Sequence, residues 1–272
     1  MLPTESYQPL SSAIGTVRLE LMVSTRDMVT SDEWQLRVDL AACYRAVAMF
    51  GWDDLIYTHV SVKLPGTQDH FLINPYGLMF DEITASSLVK VDAECNPVLP
   101  TDYKVNPAGF VIHSALHAAR DDVRCIVHTH TPAGVAVAAQ KQGLLPISQQ
   151  ASVLLGCLAY HDYEGIAVRD DEKRRLKEDL GSAVVLILRN HGLLTVGPTI
   201  PGAFELMYTL ERACQIQVLA QAGGAELIPI SRDVIEGSTK AMMKLTYGRD
   251  FGEISWPAVR RKLDRINPGY AK

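Results

Sequence analysis

From Ser31 onward, short apolar runs alternate along the chain with longer segments of helical periodicity. Apolar runs of four to eight residues are typical of buried strands, whereas apolar residues spaced three and four apart mark one face of a helix. The strand-like runs lie at 123–130, 158–160, 184–188 and 193–196, and the helical segments at 106–120, 131–141, 170–180 and 200–222. This interleaving predicts an α/β domain in which several strands are antiparallel neighbours.

The first predicted helix begins at Ser31 or Asp32, either of which can cap it, and ends before Gly51. Two alternating runs follow, 57–62 and 71–73, on either side of a turn at Pro65-Gly66. They predict a pair of antiparallel strands.

Three segments follow from these boundaries. Residues 1–30 are rich in Ser, Thr and Pro without a sustained period, so we predict an irregular N-terminal arm. Residues 31–224 form the α/β domain, and residues 225–272 form a helical C-terminal tail. The arm contains scattered apolar residues that can pack on a neighbouring subunit.

Composition excludes several classes of protein. The chain has 272 residues, 47% hydrophobic and 21% charged, with a net charge of -5, and its basic residues are scattered. This pattern is that of a globular protein without a nucleic-acid footprint. The five cysteines are odd in number and far apart, as expected of reduced core thiols. With no signal peptide and no membrane span in the sequence, we expect a cytoplasmic protein that does not bind membranes.

Three histidines stand at the ends of predicted strands. His128 and His130 are two apart, so on a strand both imidazoles project to the same side. His191 occupies a turn in which Gly192 permits a sharp bend and Asn190 can orient the loop. Three imidazoles with an open position suit a catalytic zinc ion, and Fe²⁺, Mn²⁺ or Co²⁺ would also fit. The spacing alone leaves open a purely structural role at the strand end.

The remaining histidines are weaker candidates. His113 and His117 are four apart on one helix face, which suits a metal but suits buried, hydrogen-bonded histidines better. His59, His70 and His161 are weaker still as ligands.

Four segments together resemble the class II aldolase/adducin family, and are closest to the adducin head domain. They begin at Asn106 (Asn-Pro-Ala-Gly-Phe-Val-Ile-His), Ile126 (Ile-Val-His-Thr-His-Thr), Ala159 (Ala-Tyr-His-Asp-Tyr-Glu-Gly) and Leu188 (Leu-Arg-Asn-His-Gly-Leu). The likeness covers residues 34–224. It implies a three-layer α/β/α domain with a largely antiparallel central sheet, and commonly a homotetramer with active sites between subunits.

In the sugar-phosphate aldolases of the family, three histidines hold a zinc ion that stabilises an enediolate. The resemblance carries these ligands onto His128, His130 and His191. A metal at this point acts as a Lewis acid on the oxygen where negative charge develops.

Two departures separate this chain from those aldolases. The position of their acid/base glutamate is Gly109, and their phosphate-binding Gly-Asn-X-Ser segment and Ser pair are replaced here by residues 58–61 and 107–108. Replacement acid/base candidates are Tyr163 and Glu164, followed by Asp162, Tyr76 and His113. We also predict substrate contacts from Tyr76, His113 and Asn190.

These features favour a metal-dependent aldolase-like lyase, or a related enediolate enzyme, acting on an unphosphorylated hydroxy-carbonyl or keto-acid substrate. One alternative is a non-catalytic scaffold of the adducin type, which binds the cytoskeleton; the absence of a long basic tail argues against it. The other is a metal-dependent decarboxylase or oxygenase, which needs no glutamate.

Overall fold

The computed structural model describes residues 24–66, 69–165, 170–245 and 251–272. Within these ranges, one sheet contains the strands β1 (His59–Lys63), β2 (Phe71–Ile73), β3 (Val89–Val91), β4 (Cys125–Thr129), β5 (Leu158–His161), β6 (Val185–Leu188) and β7 (Gly192–Gly197). Their order is β3-β2-β1-β4-β7-β6-β5. Neighbouring strands are antiparallel except β5 and β6, which are parallel, so the sheet is mixed but largely antiparallel.

Helices cover both faces of this sheet. They are α1 (Ser31–Met49), α2 (Pro107–His117), α3 (Pro132–Ala138), α4 (Gln149–Leu154), α5 (Asp170–Leu180), α6 (Ile200–Ala222), α7 (Arg232–Leu245) and α8 (Trp256–Ile266). Helices α1, α3 and α6 pack on one face, while α2 and α5 pack on the other. The predicted three-layer α/β/α class is therefore confirmed.

Strand alternation divides the core between the two faces. In β4, Cys125 and Val127 face the α1/α6 layer, whereas Ile126 faces the α2/α5 layer. Because side chains alternate along a strand, His128 shares the face of Ile126. The alternation of β4 therefore places His128 on the face of the sheet that α2 covers.

The predicted strand pair at residues 57–62 and 71–73 is confirmed as antiparallel, with Val62 opposite Leu72. One prediction was wrong by a residue or two: the cap of α1 is Thr30, whose hydroxyl accepts a hydrogen bond from the Glu33 N–H. Thr is a good cap, and it stands just before the residues we expected.

Several element ends also differ from the predictions. Helices α2 and α3 end at His117 and Ala138, a few residues early, because exposed turns follow the last buried positions. The sequence pattern did not indicate β3 or α4, whose short length gives little periodicity to detect. All five cysteines lie within the described ranges, and none forms a disulfide.

The terminal segments are only partly described. Most of the predicted arm, residues 1–23, lies outside the described residues, and Thr25–Met28 form a short 3-10 helix. In the C-terminal segment, Trp256 and Leu263 of α8 are buried in the same core as α1. Within the described part of the chain, no helix is both long and apolar enough to cross a bilayer.

Candidate metal centre

Three imidazoles converge at one end of the central strands. His128 lies in β4, His130 follows that strand, and His191 lies in the turn between β6 and β7. The Nε2 atom of His130 is 2.9 Å from Nε2 of His128 and 2.9 Å from Nε2 of His191. The three predicted ligands therefore meet at one point, where their ring nitrogens face one another.

Hydrogen-bond acceptors behind two of these rings determine which nitrogen carries the proton. The Nδ1–H of His128 donates to the backbone carbonyl of Leu193 at 2.9 Å, and the Nδ1–H of His130 donates to Asp54 Oδ2 at 3.2 Å. In a neutral ring, the other nitrogen, Nε2, then has only a lone pair. Two such lone pairs 2.9 Å apart repel each other unless a cation or a proton lies between them.

The donor set fits a divalent metal. Zinc binds imidazole nitrogen at about 2.0–2.1 Å, which puts neighbouring nitrogens of a tetrahedral site roughly 3.3 Å apart. The 2.9 Å separations require the rings to move by only a few tenths of an ångström. A carboxylate or carbonyl behind each ring is the usual support of a metal-binding histidine.

Burial keeps the His128 and His191 rings neutral, which is the form that binds metals. Burial lowers the pKa of His128 well below its usual value, and nearby His191 and His130 lower it further. Burial likewise lowers the pKa of His191 to about 4. Charged imidazoles have no free lone pair, so lowered pKa values favour metal binding at neutral pH.

The turn that carries His191 has an unusual backbone. Asn190 has a φ of 58°, in the left-handed region that Asn tolerates better than most residues. A Cβ atom on Gly192 would lie 2.4 Å from the carbonyl oxygen of Thr129, so only glycine permits β7 to start this close to β4. The Asn-His-Gly sequence therefore holds His191 against the end of β4.

The histidines line an open cleft of about 350 Å³. Its described lining consists of Asp54, Tyr57, Thr58, His59, Asn106, Gly109, Ile112, His128, His130, Tyr163, Gly165 and His191. No lysine or arginine is among them. Thr58, which precedes β1 in this wall, has a φ of 39°, a strained value of the kind that clusters at functional sites.

The two predicted catalytic side chains have different surroundings. Tyr163 lines the cleft, and its ring centroid is 6.3 Å from that of His191. Glu164 is not among the residues that line this cleft, and both of its carboxylate oxygens accept hydrogen bonds from Arg175. A catalytic role for Glu164 would require it to leave this ion pair, so Tyr163 is the stronger candidate of the two.

The predicted substrate contacts are not brought together in the cleft. Tyr76 pairs with Lys104 through the backbone and is not among the cleft-lining residues. His113 is completely buried behind His59, and Asn190 shapes the turn before His191. Their substrate contacts stay a prediction, as does the acid/base role of Asp162, which lies in a small neighbouring pocket.

Sequence reasoning missed His59 and its neighbours Tyr57 and Thr58 as residues of the cleft. A signal was present: His59 and Ser61 are two apart on a strand, and two further histidines are four apart on a helix. Polar residues with matching strand and helix periods predict one polar layer between the two elements.

Comparison with known proteins agrees with this fold and site. The family described as the class II aldolase and adducin N-terminal domain matches residues 38–218. A Pseudomonas aeruginosa protein, provisionally named as a class 2 aldolase, is 56% identical over 92% of this chain and 97% of its own length. The α-adducin of Rattus norvegicus is 47% identical over 82% of this chain but only 31% of the adducin. The chain belongs to the class II aldolase and adducin family.

Two solved structures share the whole architecture. An aldolase II superfamily protein from Pseudomonas syringae has a TM-score of 0.84 at 49% identity, covering 92% of this chain and 100% of the other. An L-fuculose 1-phosphate aldolase from Glaciozyma antarctica has a TM-score of 0.76 at 29% identity, covering 88% and 93%. Both support the assignment of the three-layer fold to this family.

Proposed function

We propose that this chain is a metal-dependent lyase, or a related enediolate enzyme, acting on a small unphosphorylated hydroxy-carbonyl or keto-acid compound. One observation carries the proposal. The unprotonated Nε2 atoms of His128 and His130 face each other and His191 within an open cleft. Three imidazole nitrogens directed at one point of an open cleft are the donor set of a catalytic zinc site.

The residues of the cleft have different proposed roles in metal binding and proton transfer. His128, His130 and His191 would hold a divalent metal, most suitably Zn²⁺, which would polarise substrate oxygens as a Lewis acid. Asp54 orients the His130 ring through its hydrogen bond to Nδ1. Tyr163, at the exposed side of the cleft, offers a phenol that can donate or accept a hydrogen bond. Proton transfer from Tyr163 is our proposal for the acid/base step.

The cleft lining supports an unphosphorylated substrate. The Glaciozyma antarctica relative is named for a sugar phosphate, and phosphate sites commonly use arginine, lysine or clustered backbone N–H groups. The described lining of this cleft has one carboxylate, Asp54, and no basic side chain other than histidines. We therefore propose a substrate in which hydroxyl and carbonyl groups replace the phosphate.

Metal analysis tests the metal-binding part. Protein purified without chelators should contain about one equivalent of zinc, iron, manganese or cobalt per chain, and His191→Ala should lose most of it. The matched control is His70→Ala, since His70 lies in a loop away from the cleft. Wild-type protein that takes up no divalent metal would remove the site.

A substrate screen tests the reaction class. The metal-loaded protein should cleave or isomerise at least one compound from a panel of hydroxy-carbonyl and keto acids, under nitrogen as well as under air. Turnover only in the presence of oxygen would favour an oxygenase, and release of carbon dioxide would favour a decarboxylase. Cleavage of L-fuculose 1-phosphate at about 1 per second or faster would contradict the unphosphorylated class.

A binding role is the second candidate, because the α-adducin match reaches 47% identity. A scaffold would not need the aligned nitrogens of the metal centre. Full structural integrity and partner binding after loss of the metal would favour it.

We also propose that the chain forms a homotetramer, as the resemblance to the family implies. Exposed apolar side chains support an interface; Leu219, Ile228, Val234, Ile254 and Ile266 are all more than half exposed.

A further inference from the structure

A chain of buried polar side chains runs from the cleft into the layer between β1 and α2. Its members are His59, Ser61, His113 and His117. His59 Nδ1 is 3.0 Å from His113 Nε2, and the Ser61 hydroxyl is 2.6 Å from His113 Nδ1 and 2.7 Å from His117 Nε2. All four side chains are buried, so water does not compete for these bonds.

At one end of this series of hydrogen bonds is a backbone carbonyl, which can only accept a hydrogen bond. His117 Nδ1 lies 2.8 Å from the backbone carbonyl of Val123, so Nδ1 carries the hydrogen. The Nε2 atom of a neutral His117 therefore has a lone pair, and it accepts the hydrogen of the Ser61 hydroxyl.

The direction of this first hydrogen bond determines the direction of each following one. Because Ser61 has used its one hydrogen, its oxygen accepts from His113 Nδ1–H. His113 Nε2 is left with a lone pair and accepts from His59 Nδ1–H. His59 Nε2, at the other end of the chain, is consequently an acceptor without a hydrogen.

The reverse direction needs one more proton. It would make His117 a buried imidazolium that donates to both Val123 and Ser61, and every later bond would then reverse. Burial disfavours this charge and lowers the pKa of His117 to about 4. The neutral arrangement therefore prevails at neutral pH.

The free nitrogen of His59 lies where a side chain at position 109 would be. A Cβ atom built on Gly109 would be 1.9 Å from His59 Nε2, and both residues line the cleft. The neighbouring Thr58 is buried and also lines the cleft, and its hydroxyl has no hydrogen-bond partner among the described residues. Buried polar groups normally have partners, so these two groups, which have none at these atoms among the described residues, mark a position where a ligand can bind.

We propose that His59 Nε2 accepts a hydrogen bond from a substrate hydroxyl, and that His59 selects against ligands that place a phosphate or carboxylate at this point. The selection is electrostatic, since an acceptor lone pair repels the oxygens of a group that has only acceptors. This inference rests on the proposed function for its substrate class. The direction of the hydrogen bonds does not depend on a metal.

Nitrogen-15 NMR of labelled histidines tests the direction. In chelator-treated wild-type protein at pH 7, the His59 resonances, assigned by their loss in His59→Gln, should show a protonated Nδ1 and an unprotonated Nε2. A second variant, Ser61→Ala, breaks the chain and should leave His59 as a mixture of tautomers. Wild-type His59 with a protonated Nε2 would overturn the proposal.

Ligand binding tests the selectivity. Dihydroxyacetone and dihydroxyacetone phosphate differ by the phosphate group, and zinc-loaded wild type should prefer the former by at least fivefold. Glutamine can donate from the same reach, so His59→Gln should shift this ratio toward the phosphate by about fivefold to tenfold, the worth of one hydrogen bond. His70→Gln, outside the cleft, should leave the ratio unchanged. An unchanged ratio in His59→Gln would overturn the proposal.

The two ideas fail in distinguishable ways. If the protein binds no metal, the proposed function fails, while the tautomer of His59 is still measured in metal-free protein. If metal binds but His59 presents a hydrogen to the cleft, the hydroxyl site fails and the metal-dependent function stands.

Discussion

At the residue scale, the groups behind each imidazole decide what the cleft presents. Leu193 and Asp54 accept from the Nδ1 atoms of His128 and His130, so that both rings direct lone pairs toward a common point. The carbonyl of Val123 accepts from His117 Nδ1 and so determines the direction of the series of hydrogen bonds that ends at His59. A single carbonyl or carboxylate thus determines whether a ring faces the cleft as a donor or as an acceptor.

Asp54→Asn should weaken metal binding without unfolding the protein. The asparagine keeps the size of the side chain but removes the negative charge that supports His130, and loss of such a partner typically costs about 10–100-fold in metal affinity. Competition with a chelator of known affinity measures the change. Asp121→Asn, on an exposed loop, removes the same charge elsewhere and should bind metal as wild type does.

Gly109→Ala should destabilise the protein although alanine is the better helix former. The added Cβ would lie 1.9 Å from His59 Nε2, and moving that ring breaks its bond to His113. We expect a loss of about 1–3 kcal/mol in the free energy of unfolding, typical of overpacking.

Chemical denaturation of Gly109→Ala and of a matched control variant measures this loss in the free energy of unfolding. Gly237→Ala also introduces alanine into a helix, but its Cβ would have no neighbour within 4 Å. It should be neutral or stabilising by about 0.5–1 kcal/mol. Equal stability of the two variants would mean that the His59 ring has room to move.

At the element scale, strand register and one turn assemble the site. Strands β1 and β4 pair with His59 opposite His128, and the two rings stack with centroids 5.3 Å apart. A slip of one residue would turn His59 to the other face of the sheet. The apolar alternation of β1 prevents this slip, because Val60 and Val62 would leave the core that they share with α1 and α6.

The turn at Asn190 is the element that brings in the third ligand. Asn190→Gly should keep metal affinity, because glycine adopts a φ of 58° without strain. Asn190→Val should reduce both stability, by about 1–3 kcal/mol, and metal affinity, because a β-branched residue resists this conformation and shifts His191. Thermal melts and zinc titrations measure the pair. Indistinguishable glycine and valine variants would show that the turn does not position the ligand.

At the scale of the whole molecule, the sheet separates two cores and leaves the cleft at the ends of the central strands. Several apolar side chains are exposed on the outside, among them Leu219 of α6, which is 75% exposed, and Ile228, between α6 and α7, which is 89% exposed. Single exposed apolar residues are ordinary, whereas a contiguous patch of them indicates an interface.

The proposed tetramer makes a prediction about mass. Light scattering at micromolar concentration should give four times the mass of the 272-residue chain. Leu219→Glu combined with Ile228→Glu should lower the mass, because charged groups at an interface core must be desolvated. Arg232→Glu, on the exposed surface of α7, is the control for the change of charge. A monomer for the wild-type protein would contradict the tetramer.

Local pattern in the sequence predicted an α/β fold and singled out His128, His130 and His191 as candidate ligands. Helices α5 and α6 have the ends predicted from the sequence, and a glycine, Gly181 or Gly223, directly follows each of them. His128 and His130 share one side because they are two apart on a strand, a consequence of backbone geometry alone. The family resemblance, carried by short contiguous motifs, implied the ligand role of these three histidines and the three-layer arrangement.

Only the tertiary structure decided how distant residues combine. The fold places His59 opposite His128 in the neighbouring strand, and it buries His113 next to His59. It also pairs Glu164 with Arg175. These relations depend on strand order and on contacts between residues far apart in the chain, which periodicity does not encode. The direction of the buried hydrogen bonds follows from the backbone carbonyl of Val123, and every residue has such a carbonyl. Only the folded structure shows that the carbonyl of Val123 is the one that accepts a hydrogen bond from His117.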